Sequence, residues 1–251
     1  MIDAFRLGLI VCALTATASA TEPMANHYFE LRLYSVTSNK LGGVLERFRD
    51  TVEPVRRKHG IDTVGYWTSG TTNGDKFIYL MTAASKQEMQ FREKEFGADA
   101  QFKEGYAASN AKYGKTVDAI LALPLSAPAD AKFDFTANQK LRVFELRIYS
   151  VPPGKLDAFR NRWRDSAVPI YDRHGLRSIG WWVADKMDAD RNNQFVAILA
   201  GESPESIQKS IAAFHQDPEW QRIEKETERD GKLRSGVEAL RMLPTDFSSL
   251  K

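Results

Sequence analysis

From Phe29 to Tyr34 the chain alternates, with Phe29, Leu31 and Leu33 apolar against Glu30, Arg32 and Tyr34. The alternation returns at Phe144, Leu146 and Ile148 against Glu145, Arg147 and Tyr149. A period of two predicts a strand with one oily face at each place. The period then lengthens. Leu41, Val44, Phe48, Val52 and Val55 in one place, and Leu156, Phe159, Trp163, Ala167 and Ile170 in the other, are spaced by three and four residues and predict a helix with one apolar stripe. Pro54 and Pro169 should kink or restart these helices, and Gly60 and Gly175 stand where a C-terminal cap needs positive φ. Two strands follow in each case, Thr63 to Thr68 with Lys76 to Thr82 and Ser178 to Val183 with Gln194 to Ala200, joined by Gly/Asn/Asp-rich connections suited to hairpins. A second helical region opens at Ser85 and at Ser203-Pro204, and breaks near Asp99 and Asp217, which read as fresh N-caps. A last strand, Val117 to Leu123 and Val237 to Leu243, ends at proline in both cases.

The two series are copies of one unit. Slid by about 115 residues, Phe29 to Trp67 aligns without a gap on Phe144 to Trp182, with about 17 identities in about 39 positions. The order in each copy is βαββαβ, a ferredoxin-like unit with two helices on one face of an antiparallel sheet. The expected organisation is a repeat over residues 27–124, a linker over 125–140 (Leu125 to Lys140, rich in Ala, Pro and Asp), and a second repeat over 141–247. Each unit leaves one sheet face uncovered, so the copies should pair their sheets into an intramolecular dimeric α+β barrel. If Phe29, Leu31 and Leu33 face the helices, Glu30, Arg32, Tyr34 and their counterparts point into a wet gap between the sheets.

Composition narrows the partners. With 251 residues, 43% of them hydrophobic, the chain can build one large core or two ordinary ones. A formal charge of +2 leaves too little basic excess for a nucleic-acid surface. Residues 1–20 carry one Arg, an apolar stretch from Leu7 to Leu14 and Ala18-Ser19-Ala20, the pattern of a signal peptide, which predicts an exported, periplasmic or secreted protein. A mitochondrial transit segment is the alternative and should be richer in Arg. The single cysteine, Cys12, lies in that segment, so the rest of the chain has no thiolate chemistry and no disulfide. No later stretch is long and apolar enough to span a membrane.

The candidate chemistry sits on the first strand of each copy. Tyr34, Tyr149, Glu30 and Glu145 are candidate catalytic groups, and Arg32 and Arg147 with Trp67 and Trp182 are candidate ligand contacts. The alternatives are structural: Glu30 with Arg32 as an ion pair, and the tryptophans as core. His59 and His174 precede the capping glycines and fit a capping role. His215 is matched by Gly97 in the first copy and is the candidate for a haem, although no cofactor and no metal site is predicted.

At Phe29-Glu30-Leu31-Arg32 with Tyr34, Pro153-Gly154-Lys155-Leu156, Arg173-His174-Gly175, Ile179-Gly180-Trp181-Trp182 and Asp217-Pro218-Glu219-Trp220, the chain resembles the NIPSNAP family. The second copy matches better: the first has Thr37-Ser38-Asn39 and Asp99-Ala100-Gln101-Phe102 at the turn and helix start. The resemblance implies a dimeric α+β barrel, a fold shared with cofactor-free monooxygenases, haem-binding proteins and small-molecule isomerases, and it leans toward a homo-oligomer. Three functions stay open: a small-molecule binder with its ligand between the sheets, a cofactor-independent monooxygenase or isomerase using the Tyr, Arg and Glu groups, and an interaction module with a filled barrel.

Overall fold

The computed structural model describes residue 24 and residues 26–71, 74–136, 142–185 and 193–251. The expected leader and the last residues of the expected linker lie outside them. In the first half, β1 (Tyr28–Val36) leads into α1 (Leu41–Arg47), a π-helical turn (Phe48–Val52) and α2 (Glu53–Lys58). Then come β2 (Asp62–Thr71), β3 (Gly74–Ala83), α3 (Lys86–Ala98), α4 (Ala100–Tyr113) and β4 (Val117–Ser126). The second half repeats this as β5 (Val143–Ser150), α5 (Leu156–Arg162), a π-helical turn (Trp163–Ala167) and α6 (Val168–Arg173). It continues through β6 (Arg177–Ala184), β7 (Gln194–Gly201), α7 (Pro204–Gln216), α8 (Pro218–Thr227) and β8 (Gly236–Pro244). The prolines thus act as expected, with a twist: each helix opens into a π turn just before Pro54 or Pro169, because a proline donates no hydrogen bond and its ring needs the extra width.

All eight strands close into one antiparallel barrel in the order β1-β3-β2-β8-β5-β7-β6-β4. The halves join where the fourth strand of each overruns its own sheet: Trp67 and Thr68 pair with Pro244 and Leu243, and Leu125 and Ser126 pair with Ala184 and Val183. β4 therefore runs through Pro124 rather than stopping there.

The facing of the strands corrects the sequence reading. Phe29, Leu31 and Leu33 meet Phe144, Leu146 and Ile148 in a single core inside the barrel, and Glu30, Arg32 and Tyr34 lie on the opposite face, under the helices. The gap between the sheets is apolar and filled, so it is no ligand chamber. Alternation says which residues share a face but not which face is inside. Closure decides that, because a narrow barrel walled on all sides has no water to solvate an acid or a guanidinium.

Trp67 and Trp182 belong to this interior, with ring centroids 5.6 Å from Phe144 and 5.5 Å from Phe29 respectively. Each indole folds back over its own strand at a bulge two residues upstream, where a Cβ on Gly65 would come within 2.5 Å of the Trp67 ring. The segment read as a linker also contributes: Phe133 stacks 5.5 Å from Phe29 and 5.4 Å from Trp182, and the Asp134 N–H donates to the Ile179 carbonyl at 2.8 Å. Leu250, after β8, is buried in the same core.

Outside the barrel, one device locks the helices of each half. Asp99 caps α4 by accepting from the Gln101 and Phe102 N–H groups, and its other oxygen meets Lys58 Nζ at 2.7 Å and His59 Nε2 at 2.8 Å. Asp217 repeats this at α8 with Arg173 and His174, both at 2.8 Å. His59 and His174 are the C-cap residues of α2 and α6, as expected, and their rings tie those ends to the next helix pair.

Two outcomes follow from these contacts. Leu31→Ala and Leu146→Ala should each cost about 2–5 kcal/mol in urea unfolding, the price of a cavity in a dry core; a loss well under about 1 kcal/mol would mean a hydrated gap. Lys58 and Arg173, each followed by its histidine, hold the Asp99 and Asp217 carboxyls far below the ordinary carboxylate range. A carboxyl whose pKa is lowered by folding stabilises the protein above its unfolded pKa of about 3.9 and loses that contribution as pH falls below it. Melting temperature should therefore drop on acidification below about pH 4, and less steeply in the Asp99→Asn, Asp217→Asn double variant.

Candidate functional site

With the interior filled, the first-strand candidates can meet a ligand only between the sheet and the helices of each half; two further surface pockets of the second half, about 270 Å³ around Arg164 and Trp181 and about 200 Å³ around Glu224 and Lys232, lie away from them. In the first half Arg32 and Tyr34 form the floor, the π turn and α2 supply Phe48, Val52 and Arg56, and α4 supplies Phe102, Tyr106 and Asn110 as an outer wall. The cleft has a volume of about 250 Å³. Its counterpart in the second half, lined by Arg147, Tyr149, Trp163, Tyr171 and Trp220 among others, has about 20 Å³. That is room for little more than one water, which needs about 10–15 Å³.

Matched positions explain the difference. Val44 is replaced by Phe159, Phe48 by Trp163 and Phe102 by Trp220, so a larger ring occupies the same place three times. In the second half these rings are close-packed, with Phe214 3.9 Å from Tyr171 and 4.4 Å from Trp220. The outer helices differ accordingly: α8 buries Trp220, whereas α4 buries none of its residues.

The floor of the open cleft is a hydrogen-bonded cluster. Arg32 donates through Nε to Glu30 and through Nη2 to Glu93, both at 2.5 Å. The Tyr34 and Tyr79 hydroxyls are 2.9 Å apart, and Arg56 Nη2 donates to Tyr79 Oη at 3.1 Å. Burial, with the neighbouring Tyr79, pushes the Tyr34 phenol far above its ordinary pKa. Tyr34 is therefore neutral at any working pH and serves as a hydrogen-bonding group; a general base needs a pKa near that pH.

The sequence candidates thus fall into three places. Arg32 and Tyr34 line the open cleft, with Glu30 held behind Arg32; Arg147, Tyr149 and His215 line the closed one, with Glu145 bonded to Arg147 at 2.7 Å and Arg241 at 3.0 Å; Trp67 and Trp182 lie in the barrel core, away from both clefts. Burial lowers the His215 pKa, and Arg147 and Arg234 add to it. The space beside His215 is far below the size of a haem. Among the described residues no group of three or more His, Cys, Asp or Glu is placed to hold a metal ion, and no helix is long and apolar enough to cross a membrane.

Residues missed in the sequence are Arg47, Arg56, Tyr79, Glu93 and Asn110. Arg47 did leave a signal: it stands between Val44 and Phe48 at the edge of the apolar helical stripe and returns in the second copy as Arg162. In both copies this side chain turns to the outer helix, Arg47 to Ser109 and Asn110 and Arg162 to Thr227 and Glu228.

Among solved structures, the chain is similar to a candidate monooxygenase from Fusobacterium nucleatum (TM-score 0.59, 9% identity, 88% of this chain and 93% of that one). It is likewise similar to an anthrone oxidase-like protein (TM-score 0.58, 12% identity, 90% and 94%) and to a candidate monooxygenase from Lactobacillus acidophilus (TM-score 0.53, 11% identity, 87% and 94%). At these identities the likeness is one of fold, the dimeric α+β barrel, here built from one chain. No curated protein matches the sequence. The NIPSNAP family model matches residues 29–126 and 144–249, one domain for each half of the barrel, and the chain belongs to the NIPSNAP family.

Proposed function

We propose that this protein binds a small organic molecule in the sheet–helix cleft of its first half, while the second half completes the barrel and acts as scaffold. The observation that carries this reading is the difference in volume, about 250 Å³ against about 20 Å³, between two clefts built on the same backbone plan. A filled barrel is also what an interaction module would have, but such a module has no use for an open cleft with a polar floor and apolar walls, the usual make-up of a ligand site.

A second reading is catalytic. The fold neighbours include two candidate monooxygenases and an anthrone oxidase-like protein, and the Tyr34 and Tyr79 hydroxyls, flanked by Arg32 and Arg56, could stabilise negative charge developing on a bound oxygen atom. The neutral phenol of Tyr34 favours binding over proton abstraction. An export signal in residues 1–20 would place this activity in the periplasm or outside the cell, with a mitochondrial address as the alternative; those residues lie outside the described ones.

Filling the cleft with the second half's own side chains tests the reading. Saturation-transfer NMR with a panel of neutral and acidic phenyl and naphthyl compounds should show binding to the native protein. Binding should be lost in the Val44→Phe, Phe102→Trp double variant and retained in Phe159→Leu, with all three proteins folded. Binding that survives the double variant would place the ligand elsewhere.

A further inference from the structure

The open cleft lacks a carboxylate that its twin has. Four of its lining residues, Arg32, Arg47, Arg56 and Lys115, are cationic and none is acidic. Lys115 is at the rim and pairs with Asp118 at 3.1 Å. The three guanidinium groups are more deeply set and have two carboxylates among them: Glu30, bonded to Arg32, and Glu93, bonded to Arg32 and 3.6 Å from Arg56 Nη2. One positive charge is left over among the described residues.

That charge is at Arg47 and Arg56. Arg47 donates only to neutral acceptors, Ser109 Oγ at 2.9 Å and Asn110 Oδ1 at 2.8 Å, and lies 4.5 Å from the centre of the Tyr106 ring. Arg56 is 2% exposed and sits over the Tyr79 ring at 4.6 Å, yet its Nε and Nη1 have no hydrogen-bond partner. A guanidinium cannot shed its proton, and a buried one is tolerated when it is paired. In the closed half the same problem is solved internally. Arg162, which matches Arg47, meets the buried Glu228 at 3.1 Å, and Arg56 is replaced by the neutral Tyr171. Glu228 stands where the open half has Asn110. The closed cleft supplies its own carboxylate, and the open cleft lacks one.

Resting on the cleft reading above, we infer that the ligand is an organic monoanion, a carboxylate on an aromatic or aliphatic body, whose charged head takes the place of the missing glutamate beside Arg47 and Arg56. One carboxylate balances the charge, whereas a phosphate dianion overshoots it. The body meets Phe48, Phe102 and Val52 within and leaves past Tyr106 and Ile120, which are 41% and 56% exposed at the mouth.

The test compares 2-naphthoate with 2-naphthamide, equal in shape and different in charge, by NMR or calorimetric titration of the native chain. The acid should bind at least about tenfold more tightly, as a charge-assisted contact predicts. Asn110→Glu, which copies the closed half's solution, should bring the ratio close to one while the amide binds as before. Arg47→Gln should do the same, and Arg56→Lys should lower the ratio in a protein that keeps its buried charge. If the amide binds as tightly as the acid, and cleft filling abolishes both, the charge inference is wrong and the cleft reading stands. If an acid preference persists in Asn110→Glu, the head group is not beside Arg47. If neither compound binds, the cleft reading itself falls for ligands of this size.

Discussion

Closure of eight strands around a dry interior is the constraint on which the rest of this protein depends. Each half offers a sheet with one face covered by helices, and the overrunning ends of β4 and β8 draw the two uncovered faces together. Once those faces meet, water is excluded from between them and only apolar groups are tolerated there. Every acid, guanidinium and phenol on the first strands is thereby assigned to the other face, under the helices. The open cleft is outside the barrel because the inside is sealed.

The same constraint explains why one chain can hold a filled half and an open one. The barrel wall and its core are shared, so packing the second half with Phe159, Trp163 and Trp220 supports strands that the first half also uses. In the first half, smaller side chains at those positions and an outer helix with no buried residue leave a cleft. Such a cleft costs packing energy locally and is sustained by well-packed surroundings. The π turns sit at the same place in both halves, so the backbone shape needed for a cleft is inherited by both, and side-chain size decides which one is open.

Electrostatics follow the same division. In the closed half each buried guanidinium of the cleft has a carboxylate partner, Arg162 with Glu228 and Arg147 with Glu145. In the open half the sheet floor is polar, with Arg32 held between Glu30 and Glu93 and the Tyr34 phenol kept protonated by burial, and the guanidinium without a carboxylate is on the helix side. A molecule entering there meets donors from the floor and positive charge from the helices, an arrangement suited to orienting one polar end of a ligand and leaving the other apolar.

The sequence alone determined the duplication, the order of elements, the caps at Gly60 and Gly175, and which residues share a strand face, because these depend on local periodicity and local backbone geometry. It also singled out Arg32 and Tyr34, which do line the open cleft. Tertiary structure decided which face of each strand is inside, and with it the fate of Trp67 and Trp182, since a period of two is unchanged when a strand is turned over. It alone brought Arg47, Arg56, Tyr79 and Asn110 together, from a helix, a second helix, a strand and a third helix. Charge balance in a cleft is a property of groups distant in sequence, and no local pattern records that one half has asparagine where the other has glutamate beside an arginine until the fold sets the two halves side by side.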